Sequence, residues 1–191
     1  AEELEGFHAL LARERALPPA VVRALQALPA AAAPMDVLQA AIPMLAAFDP
    51  ELGDRTREAA LRRAARLIAK FPGVVAAWHR IRRGEPPLEP LPELNQAANF
   101  LYLMRGTPPD AEAAGFVDTA LVLHAEHSFN ASTFSARQVA STRAHMYAAV
   151  SAAVGSLSGE LHGGANVRVM EMLQRIGRPE GVEAYVEAEL E

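Results

Sequence analysis

The chain has 191 residues, 51% of them hydrophobic, six histidines, no cysteine and a formal net charge of −5. That length fits one or two domains able to bury roughly 70% of the unfolded chain's surface. The lack of cysteine excludes disulfide scaffolds, thiolate nucleophiles and Cys-ligated zinc, and the acidic balance argues against a general nucleic-acid binder. Alanine supplies much of the apolar share, aromatics are few and β-branched runs are nearly absent, a composition suited to helices in close contact.

Leu4, Phe7, Leu10 and Leu11 form a helical stripe over about Glu2 to Arg15. Pro18-Pro19 suits the first turn of a second helix, with Val21, Val22, Leu25 and Leu28 inward. Met35, Leu38, Ile42 and Leu45 mark a third, which Pro43 is expected to kink or restart. After the turn cluster Asp49 to Asp54, a longer helix should carry Leu61, Ala64, Leu67 or Ile68, and Phe71 on its inner side. Arg57, Arg62, Arg63 and Arg66 then form a solvated face. Pro72-Gly73 is read as a break, followed by a helical piece with Trp78 in the core.

The proline-rich stretch Gly84 to Pro92 precludes a helix and reads as a surface crossing. Helix resumes over Asn95 to Met104, and Thr107 or Asp110 caps the next helix. That helix, through Phe116, Val117, Ala120, Leu121 and Leu123, is apolar on most of its circumference. It is therefore expected to be buried, in the domain centre or in a subunit interface. It runs into a dense polar cluster, His124-Ala125-Glu126-His127-Ser128-Phe129-Asn130-Ala131-Ser132-Thr133. His124 and His127 could share a face toward a metal, but HExxH spacing is absent and the expectation is no metal. Helix-end capping is the rival reading for His124 and Glu126, with Ser132 or Thr133 capping the following helix.

Two helices over Phe134 to Leu157, divided near Ser141-Thr142, precede Gly159-Glu160-Leu161-His162-Gly163-Gly164-Ala165-Asn166. Two glycines after a histidine permit a turn with positive φ. If they lead into the helix Val167 to Ile176, His162 stands at its positive end, where a neutral imidazole able to donate a hydrogen bond is favoured. Such a ring aimed at a developing oxyanion is a catalytic device; the plainer alternative is a helix–turn–helix in which a histidine lies. Gly177 and Pro179 should close that helix, and Val182 to Leu190 form a last amphipathic segment.

Together, the His124 to Phe134 segment and Leu161-His162-Gly163-Gly164-Ala165-Asn166 some thirty residues later resemble the citrate synthase family. Pro34-Met35-Asp36-Val37-Leu38, Ala46-Ala47-Phe48-Asp49-Pro50 and Ala97-Ala98-Asn99-Phe100-Leu101-Tyr102 are similar to it as well, so the resemblance spans essentially the whole chain. It implies an all-α fold, with residues 1–191 as one helical unit, part of a large domain whose small CoA-binding companion is largely absent. It implies a homodimer whose substrates are oxaloacetate and acetyl-CoA. No apolar run is long enough to span a bilayer and no signal segment opens the chain, so a cytoplasmic protein with no membrane partner is expected; the acidic balance leaves no nucleic-acid partner expected. No tightly bound cofactor is implied, acetyl-CoA serving as co-substrate. His162 then matches the histidine that hydrogen-bonds the acetyl carbonyl as it becomes an enol or enolate; His127 matches an oxaloacetate-binding histidine, and Asn130 lies in the same binding segment.

Departures accompany the resemblance. The family's second catalytic histidine, its aspartate base and its oxaloacetate-holding arginines find no match here and are expected beyond Glu191, with a further portion upstream of Ala1. Glu160 replaces a common proline and stands close to His162, and His145 occupies a position where aspartate often caps the helix. The 191 residues alone are thus expected not to turn over acetyl-CoA. Rival readings are a non-catalytic dimerisation or binding subunit of a split or degenerate enzyme, a 2-methylcitrate synthase using propionyl-CoA, and a helical metal-binding protein.

Overall fold

The structure is a computed structural model that describes residues 2–190; the side chain of Asn166, in the Leu-His-Gly-Gly motif, lies outside the described residues. Its described residues are all-α. The order is α1 (Glu2–Glu14), α2 (Pro19–Gln26), α3 (Pro34–Ala46), α4 (Arg57–Ile81), α5 (Gln96–Arg105), α6 (Ala111–Leu123), α7 (Ala131–Ser141), α8 (Met146–Leu157), α9 (Gly164–Ile176) and α10 (Val182–Leu190). A 3₁₀ turn, Pro179–Gly181, precedes α10. The main core gathers Val21 and Leu25 of α2, Ile42 and Leu45 of α3, Val74 and Trp78 of α4, and Tyr147 and Val154 of α8.

Pro43 and Pro72 lie inside continuous helices instead of ending them. A proline lacks the N–H that would bond the carbonyl four residues back, so each leaves one carbonyl open. Ser151 Oγ donates to Gln39 O at 3.0 Å, and Gln96 Nε2 donates to Ile68 O at 2.9 Å. Those carbonyls lie four residues before the two prolines. The orphaned acceptors thereby become docking points, for α8 on α3 and for α5 on α4.

The expected polarity of α4 is reversed in part. Leu61 and Ile68 are 62% and 51% exposed, whereas Arg63 is 6% exposed and Arg66 is turned inward. Leu67 and the alanines at 59, 65, 69, 76 and 77 supply the buried face. Small side chains let α4 approach its neighbours closely, and buried Asp49 anchors the two arginines. Arg66 Nη1 lies 2.9 Å from Asp49 Oδ1, and the Tyr147 hydroxyl donates to Asp49 Oδ2 at 2.7 Å. Glu51, held to about 2 by its hydrogen bonds with Arg62 and then Arg66, completes the network. Burial and the bond to Asp49 push the Tyr147 hydroxyl up, so it stays a donor.

Asn95 caps α5 by accepting from Ala98 N at 2.8 Å, and Gly106, at φ +87°, closes that helix in the left-handed conformation. Asp110 caps α6. No residue of α6 is buried, and Phe116 is 78% exposed, so the expectation that α6 fills the domain centre does not hold. Apolar content fixed that it wants a partner, not where the partner would come from.

Candidate active site

Two segments meet through α7 and α8, which pack along each other. Asn130 begins α7: its Oδ1 accepts from Thr133 N at 2.9 Å, so Asn130 is the cap expected of Ser132 or Thr133. Its Nδ2 donates to the His127 carbonyl at 3.4 Å, tying the cap to the preceding loop. Before it, His124 Nδ1 contacts Ala120 O at 2.7 Å and Glu126 accepts from Ser128 N, so both residues serve local helix-end and turn geometry. Ser128, at φ +50°, turns the chain between them. The His127 ring is exposed and makes no hydrogen bond among the described residues.

With Asn130 as cap, Ser132 is free for another partner. Its Oγ lies 2.9 Å from Ala153 O of α8 and 2.7 Å from His162 Nε2. A hydroxyl carries one proton and two acceptor lone pairs. Given to Ala153 O, that proton leaves Oγ to accept from Nε2–H, with Nδ1 bare. Turned onto Nε2, it requires the proton at Nδ1, which then is a donor. In both arrangements Nδ1 is the nitrogen left for a ligand, and the choice between them is made by rotating one hydroxyl.

The His162 backbone is held as tightly. His162 N donates to Gly159 O at 3.0 Å and Gly164 N to the same oxygen at 3.2 Å, folding residues 159–164 into a compact turn. Gly163 has φ −70°, so positive φ is not the reason for glycine here. A Cβ at Gly163 would overlap the Leu157 carbonyl oxygen at the end of α8, so the glycine permits close approach. Gly163 is the residue before α9, which places His162 directly ahead of that helix's free N–H groups. Glu160, expected near the ring, instead pairs with Arg168 on α9.

Thus the structure bonds His162 to Ser132 and, two residues earlier in the chain, Asn130 to the His127 carbonyl, while the rings of His127 and His162 share no hydrogen bond among the described residues. The residue that sequence reasoning missed is Ser132, considered there only as a cap. Its signal was spacing: two positions past the cap Asn130, it lies in the first turn of α7, which packs along α8. Chemically, the arrangement offers an oriented imidazole nitrogen beside a helix N-terminus. That suits hydrogen bonding to an oxygen that gains negative charge.

The family model described as "Citrate synthase, C-terminal domain" matches residues 1–191. Citrate synthase from Deinococcus radiodurans is 42% identical over the whole chain and 51% of its own length. Among solved structures, citrate synthase from Pyrobaculum aerophilum superimposes with a TM-score of 0.90 at 39% identity, covering 100% of this chain and 49% of that one. A ternary complex of carboxymethyl coenzyme A and oxaloacetate with citrate synthase from Thermoplasma acidophilum gives 0.86 at 26% identity, over 96% and 48%. The chain spans about half the length of the curated relatives it matches.

Proposed function

The chain belongs to the citrate synthase family, and on that premise we propose that it carries the enol-stabilising half of an active site that condenses acetyl-CoA with oxaloacetate. His162 Nδ1–H donates to the thioester carbonyl oxygen as a base takes a proton from the adjacent methyl. The resulting enol or enolate carbon attacks the ketone carbon of oxaloacetate, and hydrolysis of the thioester releases CoA and citrate. For Nδ1 to donate, the Ser132 proton must point at Nε2, so Ser132 sets the useful tautomer. His127 and Asn130 bind oxaloacetate. The observation that carries this reading is the Ser132-anchored His162 ahead of α9.

No carboxylate hydrogen-bonds or pairs with His162 among the described residues, since Glu160 is engaged with Arg168. On this reading the base is supplied by another part of the enzyme, together with the small CoA-binding domain that faces this large-domain portion. A homodimer is the assembly that the exposed apolar faces of α6 and α9 favour, and the enzyme acts in the cytoplasm.

Thiol release from acetyl-CoA in the presence of oxaloacetate tests the reading. The 191-residue chain alone is expected to give none, and an enzyme that includes it should lose at least about 100-fold in kcat on His162→Ala. Citrate formation by the isolated chain would overturn the division of labour. Wild-type kcat in the His162→Ala enzyme would overturn the role of the histidine.

A further inference from the structure

Away from His162, a cleft of about 750 Å³ opens between the turn before α4 and the α7–α8 connection. Leu52, Ala140, Ala144, Met146 and Ala149 supply apolar walls, and Arg55, Arg63, Arg143 and His145 supply positive or proton-bearing groups, with Asp54 as the single acidic side chain lining it. It shares no lining residue with the His127, Asn130, Ser132 and His162 set.

Three observations give this cleft a preferred ligand charge. First, Arg63 lines it while 6% exposed, and its Nε is buried without a hydrogen-bond partner, Asp49 Oδ2 lying 3.9 Å away. The adjoining network sets the cations Arg62, Arg63, Arg66 and Lys70 against the carboxylates of Glu14, Asp49 and Glu51, with Asp54 also acting on Arg62, and none of these carboxylates hydrogen-bonds Arg63 Nε. Second, neither Arg55 nor Arg143 is paired with a carboxylate among the described residues. Arg143 also sits at φ +65°, a backbone state that glycine adopts far more readily. Third, His145 caps α8 through Nδ1, which accepts from Ala148 N at 3.1 Å. That bond consumes the nitrogen's lone pair, so the ring proton is on Nε2 and can be donated. The first turn of α8 has no acidic residue to satisfy its positive end.

We propose that this cleft is a binding site for a small multiply charged anion, phosphoryl or carboxylate in chemistry, with Arg143, Arg55 and His145 Nε2 as donors and Arg63 as the buried positive floor. Guanidinium forks suit both oxyanion types, and the alanine and methionine walls receive whatever apolar part the anion carries.

Two variants keep the test independent of folding. Arg143→Gly removes a donor where the backbone already favours glycine. His145→Asp retains an N-cap but replaces a donor by a negative charge. The purified protein is titrated with pyrophosphate and, separately, with tricarballylate, by calorimetry at low ionic strength. At least one probe should bind with a stoichiometry near one per chain, and each variant should weaken it at least tenfold while leaving the thermal midpoint in place. Preference for pyrophosphate assigns a phosphoryl ligand; preference for tricarballylate assigns a polycarboxylate. Failure of both probes to bind, or binding that neither variant weakens, overturns the proposal.

Discussion

The first half of the chain and the segment from α6 to α10 are built on different terms. In α1 to α5, together with α8, large side chains are buried against each other, prolines inside helices have their lost bonds replaced, and the buried carboxylate of Asp49 faces two guanidiniums. From α6 onward, α6, α7 and α10 bury no residue, and Phe116, Leu123, Val167, Met170, Leu173 and Leu190 face outward. The candidate active site belongs to this second region and hangs on α8, the one helix shared by both. A site of this kind is positioned by a few directional bonds, with stability supplied from elsewhere.

That contrast can be broken most sharply at Asp49. Asp49→Ala leaves the buried Arg63 without its carboxylate and Arg66 with only Glu51 and Glu14, and it should lower unfolding free energy by about 3 kcal/mol, read from a denaturant midpoint. Ser132→Ala is expected to behave oppositely. The denaturant midpoint should move little, while kcat of an enzyme containing this chain should fall about 100-fold through loss of ring orientation, with KM for oxaloacetate nearly constant. A matched fall in stability would place Ser132 in the structural region instead.

Asn130 tests the junction of the two roles. Asn130→Ala should cost about 1 kcal/mol of stability through the lost cap, and Asn130→Asp should restore that loss, because either side chain accepts from Thr133 N. Acid gives a further separation. Glu51 is held to about 2, below its ordinary 4.5, so its contribution is complete above pH 4.5 and is lost as pH falls through about 2. Glu51→Gln should flatten acid unfolding in that window. The smallest effect is expected at Phe116→Ala, within about 0.5 kcal/mol for the 191-residue chain by thermal unfolding, since the ring is not buried. A larger loss would reveal a packed partner for α6.

Much of this architecture was legible from local chemistry. Although Leu4 and Phe7 of the α1 stripe are exposed, the helices α1 and α2, the inward Val21 and Leu25 of α2, the Asn95-to-Met104 helix, Gly177 and the paired histidine segments follow from spacing, caps and propensity, which act within a few residues. They also carried the resemblance to the citrate synthase family. What spacing could not supply was the direction each face turns. Leu61 and Ile68 form as regular a stripe as any core helix, yet Asp49 draws Arg63 and Arg66 to the inside and the leucine and isoleucine outward. Pro43 and Pro72 looked like breaks because their missing bonds were visible and the replacements, Ser151 and Gln96, were distant in sequence.

The same division runs through the site. By itself the sequence determined that His162 precedes a helix, that glycines follow it and that a polar cluster ends α6. Only the tertiary structure decided that Asn130 takes the cap and frees Ser132, that Ser132 reaches His162 Nε2, and that Gly163 permits close approach to Leu157 O. Caps and periodicity are short-range effects written in neighbouring residues. The tautomer of His162 depends on one hydroxyl proton shared between α7, α8 and the turn before α9, and those three meet only when the chain is folded.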